Sequence, residues 1–274
     1  RRLPRVAPPL AARPRRPRVG RLGRILPILQ RLHGVSVRQR QLHIGDRTRP
    51  VMADSILIFD SGVGGLSVLS QVRQQFPAIC LNYLMDTEMF PYGDRDDDVL
   101  IQRILNVCVR GCEHYNPALL IVACNTASTL ALSQLRNALP IPVVGVVPAI
   151  RVAGERCTSD AQNTFGLLAT PATVRRPYTD QLINDFANHC TVQRFGSKEL
   201  VAIAERKMGG ETITTELQQH LTPWLAEFPD MQKVVLGCTH YPLLRDELEA
   251  CWPHIEWIDS GEAVARQAAR IFPA

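Results

Sequence analysis

Two cysteines occupy matching places in this chain. In Ala118-Leu-Leu-Ile-Val-Ala-Cys124-Asn-Thr-Ala-Ser128 an apolar run ends at a thiol, and Ala127, Leu130, Ala131 and Leu135 follow at helical spacing. The arrangement recurs in Lys233-Val-Val-Leu-Gly-Cys238-Thr-His-Tyr-Pro242, followed by Leu243, Leu244 and Leu248. Each stretch reads as a buried parallel strand, a thiol at its carboxyl end and a helix starting at once. Ligands of open α/β sheets sit at that edge, and a helix N-terminus favours a thiolate. The unperturbed thiol pKa is ~8.5, so modest help makes a base near neutrality. One such cysteine is usually a small buried hydrophobe. Two in equivalent places point to two thiols facing one small molecule.

Such a pair suits inversion at one carbon. One thiolate takes the Cα proton, and the other group, as a thiol, returns a proton from the opposite face. Asp60 and His240 are titratable groups able to assist one thiol each. A Cys–His–Asp hydrolase would need one cysteine and leave the other unexplained. Negative charge developing on a substrate carboxylate could rest on backbone N–H groups and on Ser61, Asn125, Thr126 and Thr239. A pyridoxal mechanism needs a Schiff-base lysine. The chain has only Lys198, Lys207 and Lys233, none at a strand end fit for that role. The reaction is therefore expected to need no cofactor and no metal.

The elements that must position these groups read as two similar α/β halves with mainly parallel sheets. Ile56-Leu-Ile-Phe59 predicts a buried strand, Asp60-Ser-Gly-Val-Gly-Gly65 a tight loop, and Leu66, Leu69, Val72 and Phe76 one face of a helix. A dinucleotide loop is excluded, because Ser67 stands where a third glycine belongs and Asp60 would face the pyrophosphate. The glycines instead open the turn so that N–H groups reach a carboxylate, while Asp60 could simply cap the helix. Leu81–Met85 predicts the second strand. A polar loop follows over 86–98 with Pro91-Tyr-Gly93, and then a helix from about Val99 to Tyr115. The acids Asp94, Asp96, Asp97 and Asp98 lack the spacing of a calcium loop and suit a helix N-terminus. Cys108, Cys112 and His114 lack a fourth zinc ligand. Ile141–Val147 predicts a strand, and the crossing into the second half falls at Pro148.

The second half opens with a strand over Thr164–Thr170, with Thr170 and Thr173 at the edge that Asp60 and Ser61 hold in the first. Helices are expected around 174–186 and 213–225, and a last strand over Ile255–Ile258 ends in Asp259-Ser-Gly261. Asp60 precedes Cys124 by 64 residues and Thr170 precedes Cys238 by 68, which supports an internal duplication. The expected organisation is a tail over 1–51, a first domain over 52–148 and a second over 149–258. The final helix, within 259–274, is expected to pack back on the first domain.

Charge is segregated along the chain. Residues 1–51 hold 14 arginines, no lysine and one acid, Asp46, a formal +13. Residues 52–274 carry 17 basic and 25 acidic side chains, a formal −8, which argues against nucleic-acid binding by the body. The arginine- and proline-rich tail predicts disorder. It reads as a transit peptide, as a nucleic-acid tail, or, the favoured reading, as sequence upstream of a natural start at Met52. The 8 cysteines form no CxxC pair and follow no signal peptide, so they read as reduced thiols of a cytoplasmic protein. No apolar run is long enough to span a membrane.

At these motifs the chain resembles the glutamate racemases of the aspartate/glutamate racemase family, bacterial enzymes that make D-glutamate for peptidoglycan. The resemblance covers Ser55 to Phe272. It is carried by Phe59-Asp-Ser-Gly-Val-Gly-Gly-Leu-Ser67, Pro91-Tyr-Gly93, Ala123-Cys-Asn-Thr-Ala-Ser128, Pro142-Val-Val-Gly-Val-Val-Pro148 and Leu236-Gly-Cys-Thr-His-Tyr-Pro242. It implies two α/β domains related by a pseudo-two-fold axis, with the site in the cleft between them. It implies Cys124 and Cys238 as the acid/base pair, supported by Asp60 and His240, with Cys124 the base for D-glutamate and Cys238 for L-glutamate. Glutamate would contact Asp60, Ser61, Tyr92, Gly93, Asn125, Thr126, Thr239 and His240, with Thr173 and Glu205 as further lining positions. Many relatives have Cys-Pro where this chain has Ser197-Lys198. The partners implied are glutamate, a UDP-linked peptidoglycan precursor that activates some members, DNA gyrase in some members, and a second copy of the chain. Two other readings stay open here: a racemase or isomerase of the same group acting on aspartate or another small acid, and a non-catalytic binding protein with a nucleic-acid-binding tail.

Overall fold

The computed structural model describes residues 35–37, 55–157 and 163–272. Two all-parallel sheets carry the fold. The first has the order β1-β3-β2-β4-β5, from β1 (Val35–Val37), β2 (Ser55–Asp60), β3 (Cys80–Met85), β4 (Leu119–Val122) and β5 (Val143–Gly145). The second has the order β7-β6-β8-β9, from β6 (Thr164–Ala169), β7 (Thr191–Gly196), β8 (Lys233–Leu236) and β9 (Glu256–Ile258). Without the edge strand β1 the two orders are the same, so the duplication expected from spacing is present in the topology. The tail expected to be disordered over 1–51 contributes β1, which pairs with Leu81–Tyr83. The rest of that stretch, and a start at Met52, lie outside the described residues.

The strands read as continuous apolar runs because both faces of each sheet are covered. Alternate residues of β2 go to opposite sides: Ile56 and Ile58 pack with α1 (Leu66–Gln75), and Leu57 and Phe59 with α2 (Asp97–Tyr115) and α3 (Asn125–Ala138). In the second half Phe165, Leu167 and Ala169 face α4 (Ile150–Glu155), while Leu168 faces α7 (Glu199–Met208) and α8 (Thr214–Ala226). The short α5 (Pro171–Arg175) and α6 (Pro177–Phe186) lie between β6 and β7. A 3₁₀ turn, Tyr241–Leu244, leads into α9 (Arg245–Cys251). The last helix, α10 (Gly261–Ile271), lays Val264, Ala265 and Ala268 into the first-half core beside Val68 and Val72 of α1. The chain therefore crosses between halves twice, and Ser260 Oγ donates to Val147 O at 2.5 Å to tie the two crossings together.

Three expectations are revised. The strand over Ile141–Val147 is only Val143–Gly145, because Pro142 and Pro148 cannot donate to a ladder. β7 and α7 were not anticipated. The residues of β7 are all partly or fully exposed, so its sequence lacks the apolar run that marks the other strands. The acids before α2 do serve its N-terminus: Asp96 Oδ1 accepts from the N–H groups of Asp98 and Val99.

Candidate active site

In each sheet the chain leaves the first strand to one side and returns on the other. The switch points fall between β2 and β4, and between β6 and β8. Loops diverge there and leave a crevice at the carboxyl ends. The two crevices meet in one cleft. Ser61, Tyr92, Gly93, Cys124, Asn125, Thr126, Thr173, Cys238, Thr239 and His240 all line it, joined by Phe90, Pro91, Thr170, Val201 and Gly237. None of the three lysines does. Among the described residues no cluster of histidine, cysteine and acidic side chains could hold a metal, and no helix is long and apolar enough to cross a membrane.

The two thiols differ in their surroundings. Cys124 is the N-cap residue of α3 and its sulfur lies 3.6 Å from Ser61 Oγ. Burial and the nearby Asp60 carboxylate push its pKa up to about 12, opposed by the Ala127 N–H and Ser61. Cys124 is therefore held as a thiol. Cys238 Sγ lies 4.0 Å from His240 Nδ1, and His240 Nε2 lies 3.1 Å from Glu205 Oε1. Burial acts to lower the His240 pKa, but Cys238, Glu205 and Asp60 together raise it to about 10. The ring is an imidazolium at neutral pH, so Cys238 lies against a cation.

Asp60 stands behind the cleft wall rather than in it. It is fully buried, and Oδ2 accepts from the N–H groups of Gly62 and Gly65 at 3.0 and 3.1 Å. Oδ1 accepts from Thr239 Oγ1 at 3.4 Å. Two of the loop's N–H groups, expected to meet a substrate carboxylate, thus serve Asp60. Burial raises the Asp60 pKa, against the pull of His240 and these N–H groups. The N–H groups left for an anion are those of the first turn of α3, Asn125 and Thr126, which have no intrahelical partner. Asn125 Oδ1 is buried without a protein partner, an acceptor set for a donor such as an ammonium. The Tyr92 ring lines the cleft while its hydroxyl donates to Asp86 Oδ2 at 2.7 Å, and Arg103 grips the same carboxylate through two bonds. Glu205 does not line the cleft and reaches it only through His240.

Sequence reasoning did not single out Phe90, Val201 or the Asp86–Arg103 pair. Phe90 lies against His240, ring centroids 5.6 Å apart, a contact between distant segments. Arg103 was discoverable only as a cation on the buried side of α2. Ser197 is buried and accepts from Leu200 N–H at 3.1 Å, so in this chain it starts α7 as a capping residue.

Paired strand-end thiols in a duplicated parallel α/β fold define a class of racemases and isomerases, and the chain belongs to the Asp/Glu/hydantoin racemase family, whose profile matches residues 70–268. Within it the chain is similar to glutamate racemases. That of Klebsiella pneumoniae (strain 342) is 46% identical over 217 residues, 78% of this chain and 76% of that protein. The structure of Escherichia coli glutamate racemase in complex with L-glutamate and the activator UDP-MurNAc-Ala superposes with a TM-score of 0.76 at 43% identity, covering 81% of this chain and 83% of that one. A glutamate racemase isoform from Bacillus anthracis gives 0.68 at 28% identity, covering 80% and 81%.

Proposed function

We propose that the cleft interconverts L- and D-glutamate by two-base proton transfer between Cys124 and Cys238. The observation that carries this is the unequal environment of two thiols in one cleft: one held as a thiol, the other beside an imidazolium. One enantiomer meets the Cys238 thiolate as base. Its Cα proton passes to that sulfur, and Cys124 delivers its own proton to the other face. The enantiomer formed leaves the protonation states of the two thiols exchanged. Negative charge developing on the substrate carboxylate is met by the α3 N-terminus, which acts where the charge appears. The α-ammonium has an acceptor in Asn125 Oδ1. Ser61, Gly93 and Thr173 complete the wall, and the Tyr92 ring contributes shape rather than its hydroxyl. Asp60 acts on Cys124 electrostatically and holds the loop, and Glu205 orients His240.

The glutamate racemases among the relatives support glutamate over aspartate. The E. coli relative's activator supports a UDP-linked precursor as effector here. The domain limits proposed are 52–148, with the last helix, and 149–258. The test is circular dichroism of L-glutamate, and separately L-aspartate, incubated with the protein and no added cofactor. Decay of the glutamate signal to zero is the expected result. Decay of the aspartate signal alone would move the assignment to the other substrate, and a constant signal with both would remove it.

A further inference from the structure

Arg176 ties the two halves together beside the cleft. It sits between α5 and α6 in an extended conformation, φ −72° and ψ 139°, as a residue before proline must. Its side chain, 11% exposed, leaves the second half and reaches two helices of the first. Nη1 donates to Thr129 Oγ1 on α3 at 3.0 Å, and Nη2 to Asp97 Oδ1 in the first turn of α2 at 2.6 Å. Both ends lie one turn from the cleft wall. Thr129 Oγ1 donates to the carbonyl of Thr126, and the Arg176 N–H to the carbonyl of Thr173. Thr126 and Thr173 both line the cleft.

The other polar ties across the cleft have different roles. Ser67 Oγ, in the first turn of α1, donates to Thr239 O at 3.0 Å, and Thr239 to Asp60, both beside the groups that carry the chemistry. The Ser260–Val147 bond lies at the crossings, where the halves must pivot if they part. Arg176 joins helices, not reacting groups. We propose that Arg176 is a latch, a positioning residue that holds the cleft closed and must leave Thr129 and Asp97 for ligand to enter or depart. The link to turnover rests on the racemase reading; the closure itself does not.

Closure is read without substrate, from the rate at which iodoacetamide alkylates Cys124 and Cys238, followed by peptide mass spectrometry with buried Cys108 as the control. A guanidinium bond to a hydroxyl and one ion pair to a half-exposed carboxylate are together worth about a ten-fold shift toward the open form. Arg176→Ala is expected to speed alkylation of the cleft thiols about ten-fold with Cys108 unchanged. Asp97→Ala, on an exposed side chain, gives a smaller rise, and Arg176→Lys falls between wild type and Arg176→Ala. Wild-type alkylation rates in a folded Arg176→Ala overturn the proposal. If that variant also exposes Cys108, Asp97→Ala decides, and an unchanged rate there overturns it. With glutamate, Arg176→Ala should raise KM and weaken the dependence of kcat on solvent viscosity. A wild-type protein that fails to racemise glutamate sinks the substrate assignment, while the alkylation rates still judge the latch.

Discussion

At the scale of the residue, two sulfurs share a task but not an environment. Serine in place of either is nearly isosteric and far too weak a base. Cys124→Ser and Cys238→Ser are each expected to lower racemisation by at least ~10²–10⁴-fold, the contribution of one general acid or base. Polarimetry of both variants checks this, and near-normal activity in either would end the two-base mechanism. His240 adds a prediction about pH. Its pKa rises from the ordinary 6.5 to about 10 in the fold. A raised pKa means that the folded state binds the proton more tightly, so the stabilisation is full below pH 6.5 and fades as pH rises through about 10. The melting-temperature difference between wild type and His240→Asn should therefore narrow from pH 6.5 toward pH 10. A difference independent of pH would mean that the ring is not charged in the fold.

At the scale of the element, the loop from Asp60 to Gly65 is shaped by what it must approach. A Cβ on Gly64 would lie 2.4 Å from His240 Nδ1 and 2.7 Å from Thr239 Oγ1, so this first-half loop touches the second-half site. A Cβ on Gly65 would lie 2.6 Å from Tyr83 Oη and 2.7 Å from Asp60 Cβ. Gly64→Ala is expected to displace His240 from Cys238 and cost about 10²-fold in kcat, the scale of a 1 Å misplacement at a reacting group. Gly65→Ala should instead act on stability, by about 1–3 kcal/mol, as overpacking does. Steady-state kinetics and urea melts of the pair separate the two effects, and a Gly64→Ala enzyme with unchanged kcat would contradict the contact across the cleft.

At the scale of the whole molecule, the two halves repeat a strand order, and the first adds β1 as an edge strand. Among the described residues, none before Ser61 lines the cleft. Of the described residues before Ser55, only Val35–Val37 touch the fold, as an edge strand on β3. Removing residues 1–51 is therefore expected to leave kcat unchanged, and to lower stability slightly by baring the β3 edge. Kinetics and melting of the shortened chain check this; a large loss of kcat would make the tail part of the site. Since the enantiomers have equal free energy in water, every variant must also keep the same kcat/KM in both directions.

The sequence by itself determined most of the frame. Apolar runs located seven strands, because strands covered on both faces must be largely apolar. Near-equal spacing located the duplication, and the two cysteine motifs marked the cleft. The sequence missed β7, whose residues keep some exposure and so carry no such pattern. Only the tertiary structure decided how the site divides its labour. Asp60 withdraws behind the wall because its own loop satisfies it, and Tyr92 turns its hydroxyl to Asp86. Glu205 becomes the partner of His240, and Arg176 spans the halves. The last two depend on pairs far apart in the chain, Glu205 with His240 and Arg176 with Asp97. Local pattern encodes which face of an element is buried; which polar group a buried side chain meets is fixed only when two elements pack.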